Sequence, residues 1–277
     1  DTSKPLVVEE VETPQLKAGQ ALVEVVYSGA CHTQVMEARG RKGPDKWLPH
    51  CLGHEGVGIV REVGEAVTRV KPDDKVVLSW IRANGIDAGG SAYDWNGTRV
   101  NAGGVTTFQK YTVASENRLT PMPTSLSPEL GILLGCAAPT GMGALVNTAG
   151  LRVGDAVAVF GVGGVGLNSC MAAAFGGADP VIGVDPNPAR RELATLFGAT
   201  HTIDPTAGDP IEQIRELVPG GVDIAIEATG LPDVMVQATQ STRMRGGRAV
   251  VIGNASHGKM LQIDPATFNA GKSLLGT

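Results

Sequence analysis

The stretch "VAVFGVGGVGLNS", Val157 to Ser169, decides the fold of the second half of the chain. Four strand-forming apolar residues lead directly into Gly161, Gly163, Gly164 and Gly166, and the small residues that follow are typical of a helix. In this setting the first glycine of a GxGxxG pattern permits a tight turn, the second lets backbone approach a pyrophosphate, and the third lets helix and strand pack closely. The stretch therefore predicts a strand–turn–helix unit that binds dinucleotide phosphates at a helix N-terminus.

The segments around this stretch support that interpretation, which the glycines alone would not carry in a chain with 38 glycines among 277 residues. From about residue 139 onward, short apolar runs alternate with amphipathic ones, which predicts a doubly wound parallel sheet of the α/β class over 139–277. The run "VIGVD" ends at Asp185, about twenty residues after the glycines. An acid at that place accepts hydrogen bonds from the ribose hydroxyls and repels a 2′-phosphate, so NAD is favoured over NADP.

Residues 1–138 have a different pattern, which predicts a β-rich domain. Strand-like runs closed by glycine or a turn lie at Gln20 to Gly29, Glu55 to Gly64 and Asp74 to Trp80. The stretch from Arg82 to Gly104 is rich in glycine and asparagine and has no clear period, so we expect a surface loop or lobe there.

Composition excludes several classes of protein. A net charge of -5, with 42% apolar and 18% charged residues, favours a globular protein that binds neither nucleic acid nor membrane. The polar start of the sequence does not resemble a secretory signal, so we expect the cytoplasm. Four cysteines without a CxxC pair predict thiolate chemistry or simple burial rather than a disulfide framework.

Three residues distant in sequence could form a catalytic zinc site. Such a site needs three protein ligands and an open fourth position, and Cys31, His54 and Cys136 could supply a Cys2His set. Each alone has a simpler interpretation, since a buried cysteine is often only a small hydrophobic residue and a histidine can be hydrogen-bonded in a core.

Local context favours the metal. "GACHTQ" around Cys31, "GHE" at Gly53 to Glu55 and "GCAAPTGMGAL" around Cys136 resemble the zinc-site segments of zinc-dependent medium-chain alcohol dehydrogenases. The likeness is to the branch of the classical alcohol and glutathione-dependent formaldehyde dehydrogenases. It implies a GroES-like catalytic domain, a Rossmann cofactor domain, one catalytic zinc (Zn2+) per chain, NAD, an alcohol or aldehyde substrate, and a homodimer or homotetramer.

The resemblance also implies roles for individual residues. Cys31, His54 and Cys136 would be the zinc ligands, and Glu55 would lie just behind the metal or bind it transiently during water exchange. Thr33 would take the alcohol proton, and His32 would lie near the cofactor pyrophosphate.

Further residues would shape the cofactor and substrate sites. Thr140 and Val165 would back the nicotinamide, and Arg190 would join Asp185 at the adenosine ribose. Trp80 would be an aromatic wall of the substrate pocket, with ordinary core packing as the alternative.

The sequence departs from the family in four ways. The stretch from Arg82 to Gly104 lacks the four cysteines that bind a structural zinc in many relatives. Gln34 replaces an aspartate that would orient a ligand histidine, and Met36 replaces a histidine that ends a proton relay. The chain also starts after the family's first strand and stops near the sixth strand of the cofactor sheet, so we expect a fragment.

These observations predict a zinc-assisted oxidoreductase that transfers hydride between a primary or secondary alcohol and NAD. Two alternatives stay open at this point. One is a zinc-free, NADPH-dependent quinone or enoyl reductase of the same fold, against which Cys31, His54 and Asp185 argue. The other is a protein that binds NAD and zinc without turnover.

Overall fold

The computed structural model describes residues 4–277, whose contacts divide the chain into two compact units. The first unit ends at Cys136 and the second runs from Ala137 to Thr277, two residues before the boundary expected from the sequence.

The first unit is built on a five-stranded antiparallel sheet with the strand order β6-β1-β2-β3-β7. Its apolar core includes Val23, Val60 and Leu78, all with 0% exposure. Short 3₁₀ turns follow β6 and α2. The elements in chain order are β1 Gln20–Ser28, α1 His32–Ala38, β2 Glu55–Val63, β3 Lys75–Ser79, β4 Ala92–Trp95, β5 Thr98–Asn101, β6 Tyr111–Ser115, β7 Leu119–Pro121 and α2 Pro128–Gly131.

The second unit contains a six-stranded parallel sheet. Its elements are α3 Ala137–Gly143, a π-helical stretch Ala144–Ala149, β8 Val157–Phe160, α4 Gly164–Phe175, β9 Val181–Val184, α5 Pro188–Leu196, β10 His201–Ile203, α6 Pro210–Leu217, β11 Ile224–Glu227, α7 Pro232–Ser241, β12 Arg248–Val251, α8 Ala266–Asn269 and β13 Ser273–Gly276. The strand order is β10-β9-β8-β11-β12-β13. Numbered within the unit this is 3-2-1-4-5-6, the Rossmann order, in which ligands bind beyond the carboxyl ends of the strands where the order reverses.

The sheet of the second unit is buried on both faces. Val157 and Val159 of β8 belong to one apolar cluster, together with Cys170 of α4. The intervening Ala158 and Phe160 belong to the other, together with Ile214 of α6. Because alternate residues of a strand point to opposite faces, helices cover both sides, as expected for a doubly wound parallel sheet.

The segment between Arg82 and Gly104, where the sequence predicts a surface loop or lobe, contains regular structure that the sequence analysis did not predict. Strands β4 and β5 pair there as an antiparallel hairpin. Asn96 and Gly97 connect them with φ values of 52° and 82°, and the Asn-Gly pair is the commonest sequence for such a two-residue turn. The hairpin has a small apolar cluster of its own around Tyr93, Val100 and Ala102, so apolar packing stabilises this part of the unit.

No single helix in residues 4–277 is long and apolar enough to cross a membrane. Two consecutive helical stretches, Pro128–Gly135 and Ala137–Ala149, reach that length and apolarity only when taken together.

A buried carboxylate anchors the start of the hairpin segment. Glu116 is only 1% exposed, and its Oε1 accepts hydrogen bonds from the amides of Thr68 (2.6 Å) and Arg69 (2.8 Å). Its Oε2 accepts a hydrogen bond from the amide of Ile86 at 2.8 Å. Burial alone would raise the pKa of Glu116, but the amides of Ile86, Thr68 and Arg69 outweigh it and hold that pKa below its ordinary value. The carboxylate thus joins two loops that are distant in sequence.

We expect Glu116→Gln to lower the free energy of unfolding by about 2 kcal/mol. The glutamine side chain lacks the negative charge that strengthens these hydrogen bonds, and it turns an NH2 group toward a backbone N–H that needs an acceptor. Since the folded pKa of Glu116 is lowered, its contribution to stability is present above the unfolded pKa and disappears as pH falls through the folded pKa. Urea unfolding at pH 7 and near pH 3.5 measures both effects. Exposed Glu62→Gln is the matched control, and equal stability of the two variants at pH 7 would contradict the account.

Candidate metal centre and cofactor loop

Three chain segments of the first unit bring Cys31, His54 and Cys136 together. Cys31 caps α1 just after β1, and His54 immediately precedes β2. Strands β1 and β2 pair up to Ser28 opposite Gly56, which places the end of one beside the start of the other. Cys136 follows the 3₁₀ turn Ile132–Gly135, which packs on β2 and β3. One potential ligand atom from each of the three residues lies within 4.8 Å of the other two.

The donor chemistry of this cluster fits zinc. Two thiolates and an imidazole are a known ligand set for catalytic zinc, with ligand bonds of about 2.3 Å to sulfur and 2.0–2.1 Å to nitrogen. His54 Nε2 is buried and finds no hydrogen-bond partner in the described part of the chain, so this nitrogen is free to bind a metal. Among residues 4–277, this is the one group of three or more such side chains that could hold an ion.

The pKa values of the Cys31 and Cys136 thiols are shifted in opposite directions. The pKa of the Cys31 thiol is lowered, chiefly by the neighbouring Cys136 thiol and further by His54 and Thr33, while burial opposes the shift. The pKa of Cys136 is raised, first by its hydrogen bond to Cys31 and then by burial. The pair therefore loses its first proton easily and its second with difficulty, and a bound divalent cation would favour removal of both.

Glu55 lies directly behind the cluster and is only 7% exposed. Burial and the neighbouring Cys31 raise its pKa, and His54 lowers it in part. Two glycines make room for this side chain. A Cβ on Gly29 would lie 2.7 Å from the Glu55 carboxyl carbon, and one on Gly135 would lie 2.9 Å from Glu55 Cβ.

Trp80 and Thr33 also contact the cluster. The Trp80 ring meets the His54 ring edge-on with centroids 6.4 Å apart, and Trp80 hydrogen-bonds to Cys136. Because Trp80 is 51% exposed, ordinary core packing does not describe it. Thr33 donates backbone and side-chain hydrogen bonds to Cys31, and His32 at the start of α1 is exposed.

Gln34 occupies the place behind the ligand histidine. Its side-chain nitrogen lies 2.9 Å from His54 Nδ1, and the residue is 6% exposed. A neutral amide therefore stands at the position where the family resemblance implies an orienting aspartate. Met36, for which the family resemblance implies a relay histidine, is 5% exposed and packs in the interior.

In the second unit, the glycine turn between β8 and α4 has the geometry expected of a phosphate loop. Gly161 has a φ of +86°, a left-handed conformation that glycine adopts without strain. A Cβ on Gly166 would lie 1.9 Å from the Gly161 carbonyl oxygen, so helix and strand approach as closely as glycine permits. A Cβ on Gly163 would lie within 4 Å of no atom in residues 4–277, which leaves open space where a pyrophosphate would sit.

Asp185 ends β9 beside this turn. Its Oδ2 accepts a hydrogen bond from the amide of Val162 at 3.1 Å, and its Oδ1 accepts one from the amide of Asn187 at 2.9 Å. Arg190 lies 3.7 Å from Asp185 Oδ2 as an ion pair. The structure thus brings the glycine turn, the acid and the arginine together.

Thr140 and Val165 lie on adjacent helices of the second unit. Helices α3 and α4 pack so closely that a Cβ on Gly141 would lie 2.5 Å from the Val165 carbonyl oxygen. Thr140 Oγ1 is buried without a hydrogen-bond partner in the described residues.

Comparison with known proteins matches both units. Residues 17–124 match the alcohol dehydrogenase GroES-like domain, and residues 164–277 match the zinc-binding dehydrogenase family. The chain is 35% identical over 304 residues to an S-(hydroxymethyl)glutathione dehydrogenase of Synechocystis sp., covering 100% of this chain and 82% of that protein. The chain belongs to the zinc-dependent medium-chain alcohol dehydrogenase family.

Solved structures of the family agree. An alcohol dehydrogenase zinc-binding domain protein from Burkholderia ambifaria superposes with a TM-score of 0.90 at 32% identity, covering 100% of this chain and 81% of that one. Benzyl alcohol dehydrogenase from Acinetobacter calcoaceticus gives a TM-score of 0.86 at 32% identity, covering 96% and 79%. The predicted α/β fold with a GroES-like domain is confirmed, as is a zinc-dependent dehydrogenase of this family.

Alanine substitution is expected to have different effects at Gly163, around which space is open, and at Gly166, which is closely packed. We expect Gly163→Ala to keep the melting temperature within about 1 °C and to weaken NAD binding, because its methyl meets no protein atom but enters the phosphate space. We expect Gly166→Ala to destabilise the unit by about 2 kcal/mol or more, since its methyl overlaps the Gly161 carbonyl. Thermal unfolding and NADH titration measure the two effects, and a destabilised Gly163→Ala with unchanged NADH affinity would contradict this assignment.

Proposed function

We propose that this alcohol dehydrogenase holds its catalytic zinc with Cys31, His54 and Cys136. The observation that carries the proposal is the convergence of two sulfur atoms and one imidazole nitrogen within 4.8 Å, with the buried His54 Nε2 unpaired in the described residues. A zinc ion held by these three residues would lower the pKa of an alcohol hydroxyl bound to it.

The residues around the cluster are proposed to have separate roles in the reaction. The Thr33 hydroxyl accepts the alcohol proton and passes it toward solvent, and the neighbouring exposed His32 offers an imidazole for its onward transfer. The buried Glu55 balances charge behind the ligands. Trp80, half exposed beside His54, supplies an apolar wall against which the substituent of the alcohol packs.

The second unit is proposed to bind NAD, whose nicotinamide would supply the hydride acceptor for the reaction. The turn formed by Gly161, Gly163, Gly164 and Gly166 receives the pyrophosphate at the N-terminus of α4. Asp185 and Arg190 receive the adenosine ribose, because their ion pair lies beside the turn and the carboxylate disfavours a 2′-phosphate. Thr140 and Val165 are proposed to contact the nicotinamide.

We propose further that the enzyme works in the cytoplasm as a homodimer or homotetramer. The location is supported by its four free cysteines, two of which must stay reduced to bind metal. The oligomeric state rests on the family resemblance alone. Its substrates are proposed to be primary or secondary alcohols and the corresponding aldehydes or ketones, without nucleic acid or membrane partners.

We expect Cys136→Ser to lose most of its zinc and to lower the turnover of a panel of primary and secondary alcohols by more than about 100-fold, because a neutral hydroxyl is a far weaker zinc ligand than a thiolate. Elemental analysis of metal content and NADH formation at 340 nm measure both quantities. Cys51→Ser is the matched control, since that thiol lies outside the cluster. Full zinc content and activity in Cys136→Ser would refute the proposed ligand set.

A further inference from the structure

A second buried acid of the parallel sheet, Glu227, lies at the point where the strand order reverses. It is the last residue of β11 and is 0% exposed. In the sheet it pairs in register with Phe160 of β8 on one side and with Val251 of β12 on the other. Because the order reverses between β8 and β11, the carboxylate belongs to the edge of the sheet at which ligands of such folds bind.

Only one of the two oxygens of Glu227 has hydrogen-bond partners. Oε1 accepts hydrogen bonds from the amides of Thr229 (2.6 Å) and Gly230 (2.8 Å), and also from the hydroxyl of Thr229. Three donors around one oxygen are typical of a charged carboxylate. Oε2 is buried without a partner in residues 4–277, and no lysine, arginine or histidine of that range forms an ion pair with Glu227. The second unit thus holds a buried negative charge without a neighbouring cation.

The chain makes room for this charge with a glycine. A Cβ on Gly253, just after β12, would lie 2.8 Å from Glu227 Oε2. A Cβ on Gly230 would lie 2.4 Å from the carbonyl oxygen of Asn254, so the loops that follow β11 and β12 pack closely together at the carboxylate. Burying a charge that has no counter-ion lowers stability, so we looked for a ligand that would benefit from the charge.

The loop that Glu227 holds contacts the glycine turn. A Cβ on Gly161, the first glycine of that turn, would lie 2.6 Å from Thr229 Cγ2 and 3.3 Å from the Thr229 amide nitrogen. That same amide donates to Glu227 Oε1. A single residue therefore separates the carboxylate from the turn that is proposed to receive the pyrophosphate, and a cofactor bound there would lie in the field of this charge.

The position of Glu227 in the sheet indicates which part of the cofactor is nearest. A doubly wound sheet of this order consists of two mononucleotide-binding halves. The half formed by β8, β9 and β10 contains the glycine turn and Asp185, which are proposed to take the pyrophosphate and the adenosine ribose. The half that begins with β11 is left for the nicotinamide nucleotide. The nicotinamide ring is a cation in NAD⁺ and neutral in NADH, whereas the rest of the molecule is the same in both forms.

We propose that Glu227 is a specificity-determining residue that favours binding of NAD⁺ over NADH. The inference rests on the proposed NAD site. The buried carboxylate attracts the positively charged ring of the oxidised cofactor and has little effect on the neutral ring of the reduced one. It repels the pyrophosphate of both forms equally, so this repulsion cancels in the ratio of their dissociation constants.

The test compares three ligands on the full chain by isothermal titration calorimetry: NAD⁺, NADH and ADP-ribose, which lacks the nicotinamide. Glu227→Gln removes the charge and keeps the size of the side chain. We expect it to raise the ratio of the NAD⁺ to the NADH dissociation constant by about tenfold, the order of effect of one charge on another in a protein interior. The ratio of the ADP-ribose to the NADH dissociation constant should stay unchanged.

Two further variants separate charge from structure. Glu216→Gln makes the same change in charge at an exposed position of α6, where solvent screens it, and should leave both ratios unchanged. Glu227→Asp keeps the charge but shortens the side chain, so it should weaken all three ligands equally and leave both ratios unchanged.

These variants distinguish the possible outcomes. Equal weakening of the three ligands by Glu227→Gln would overturn the inference. If that variant does not fold, a changed ratio of NAD⁺ to NADH in Glu227→Asp would overturn it as well. An unaltered chain that binds none of the three ligands would instead refute the proposed NAD site.

Discussion

The pairing of β1 with β2 is the constraint on which the metal centre depends. Cys31 follows the end of one strand and His54 precedes the start of the other, and the register of Ser28 opposite Gly56 fixes how far apart they lie. The third segment reaches them only because Gly135 lets the turn before Cys136 approach Leu78 and Glu55. Without that close approach, three groups separated by about a hundred residues would not share one centre.

The position of the predicted nucleotide site in the second unit likewise follows from the arrangement of the strands. Its reversal point lies between β8 and β11, and the residue after β8 is the first glycine of the turn. Asp185 contributes more than contact with a ribose, because its carboxylate accepts a hydrogen bond from the amide of Val162 within the turn. The acid that is predicted to select the cofactor therefore also holds the loop that is proposed to receive the phosphates.

Sequence patterns predicted most of the second unit because local signals and tertiary contacts agree there. Each strand is a short apolar run, and helices such as α5 and α6 begin at Asn187 and Asp209, whose side chains cap them. Arg190 lies 3.7 Å from Asp185, and the expected role of both residues at the adenosine ribose stays a prediction. The predicted roles of Thr33, His32, Thr140 and Val165 in turnover stay predictions.

The first unit was harder to predict. The β4–β5 hairpin was missed although the Asn96-Gly97 pair signals it, because glycine-rich flanks hid the alternation of its strands. The anchoring role of Glu116 left no local signal at all, since the amides that it accepts from lie 30 to 48 residues away in sequence.

X-ray absorption at the zinc edge of the purified protein tests the central claim most directly, because it reports the ligand atoms themselves. The account predicts one zinc per chain with two sulfur ligands at about 2.3 Å and nitrogen or oxygen ligands at about 2.0–2.1 Å. Replacement of Cys31 by serine should leave a single sulfur in the spectrum of whatever zinc remains. A spectrum with four sulfur ligands, or with none, would contradict the convergence of these three residues on one ion.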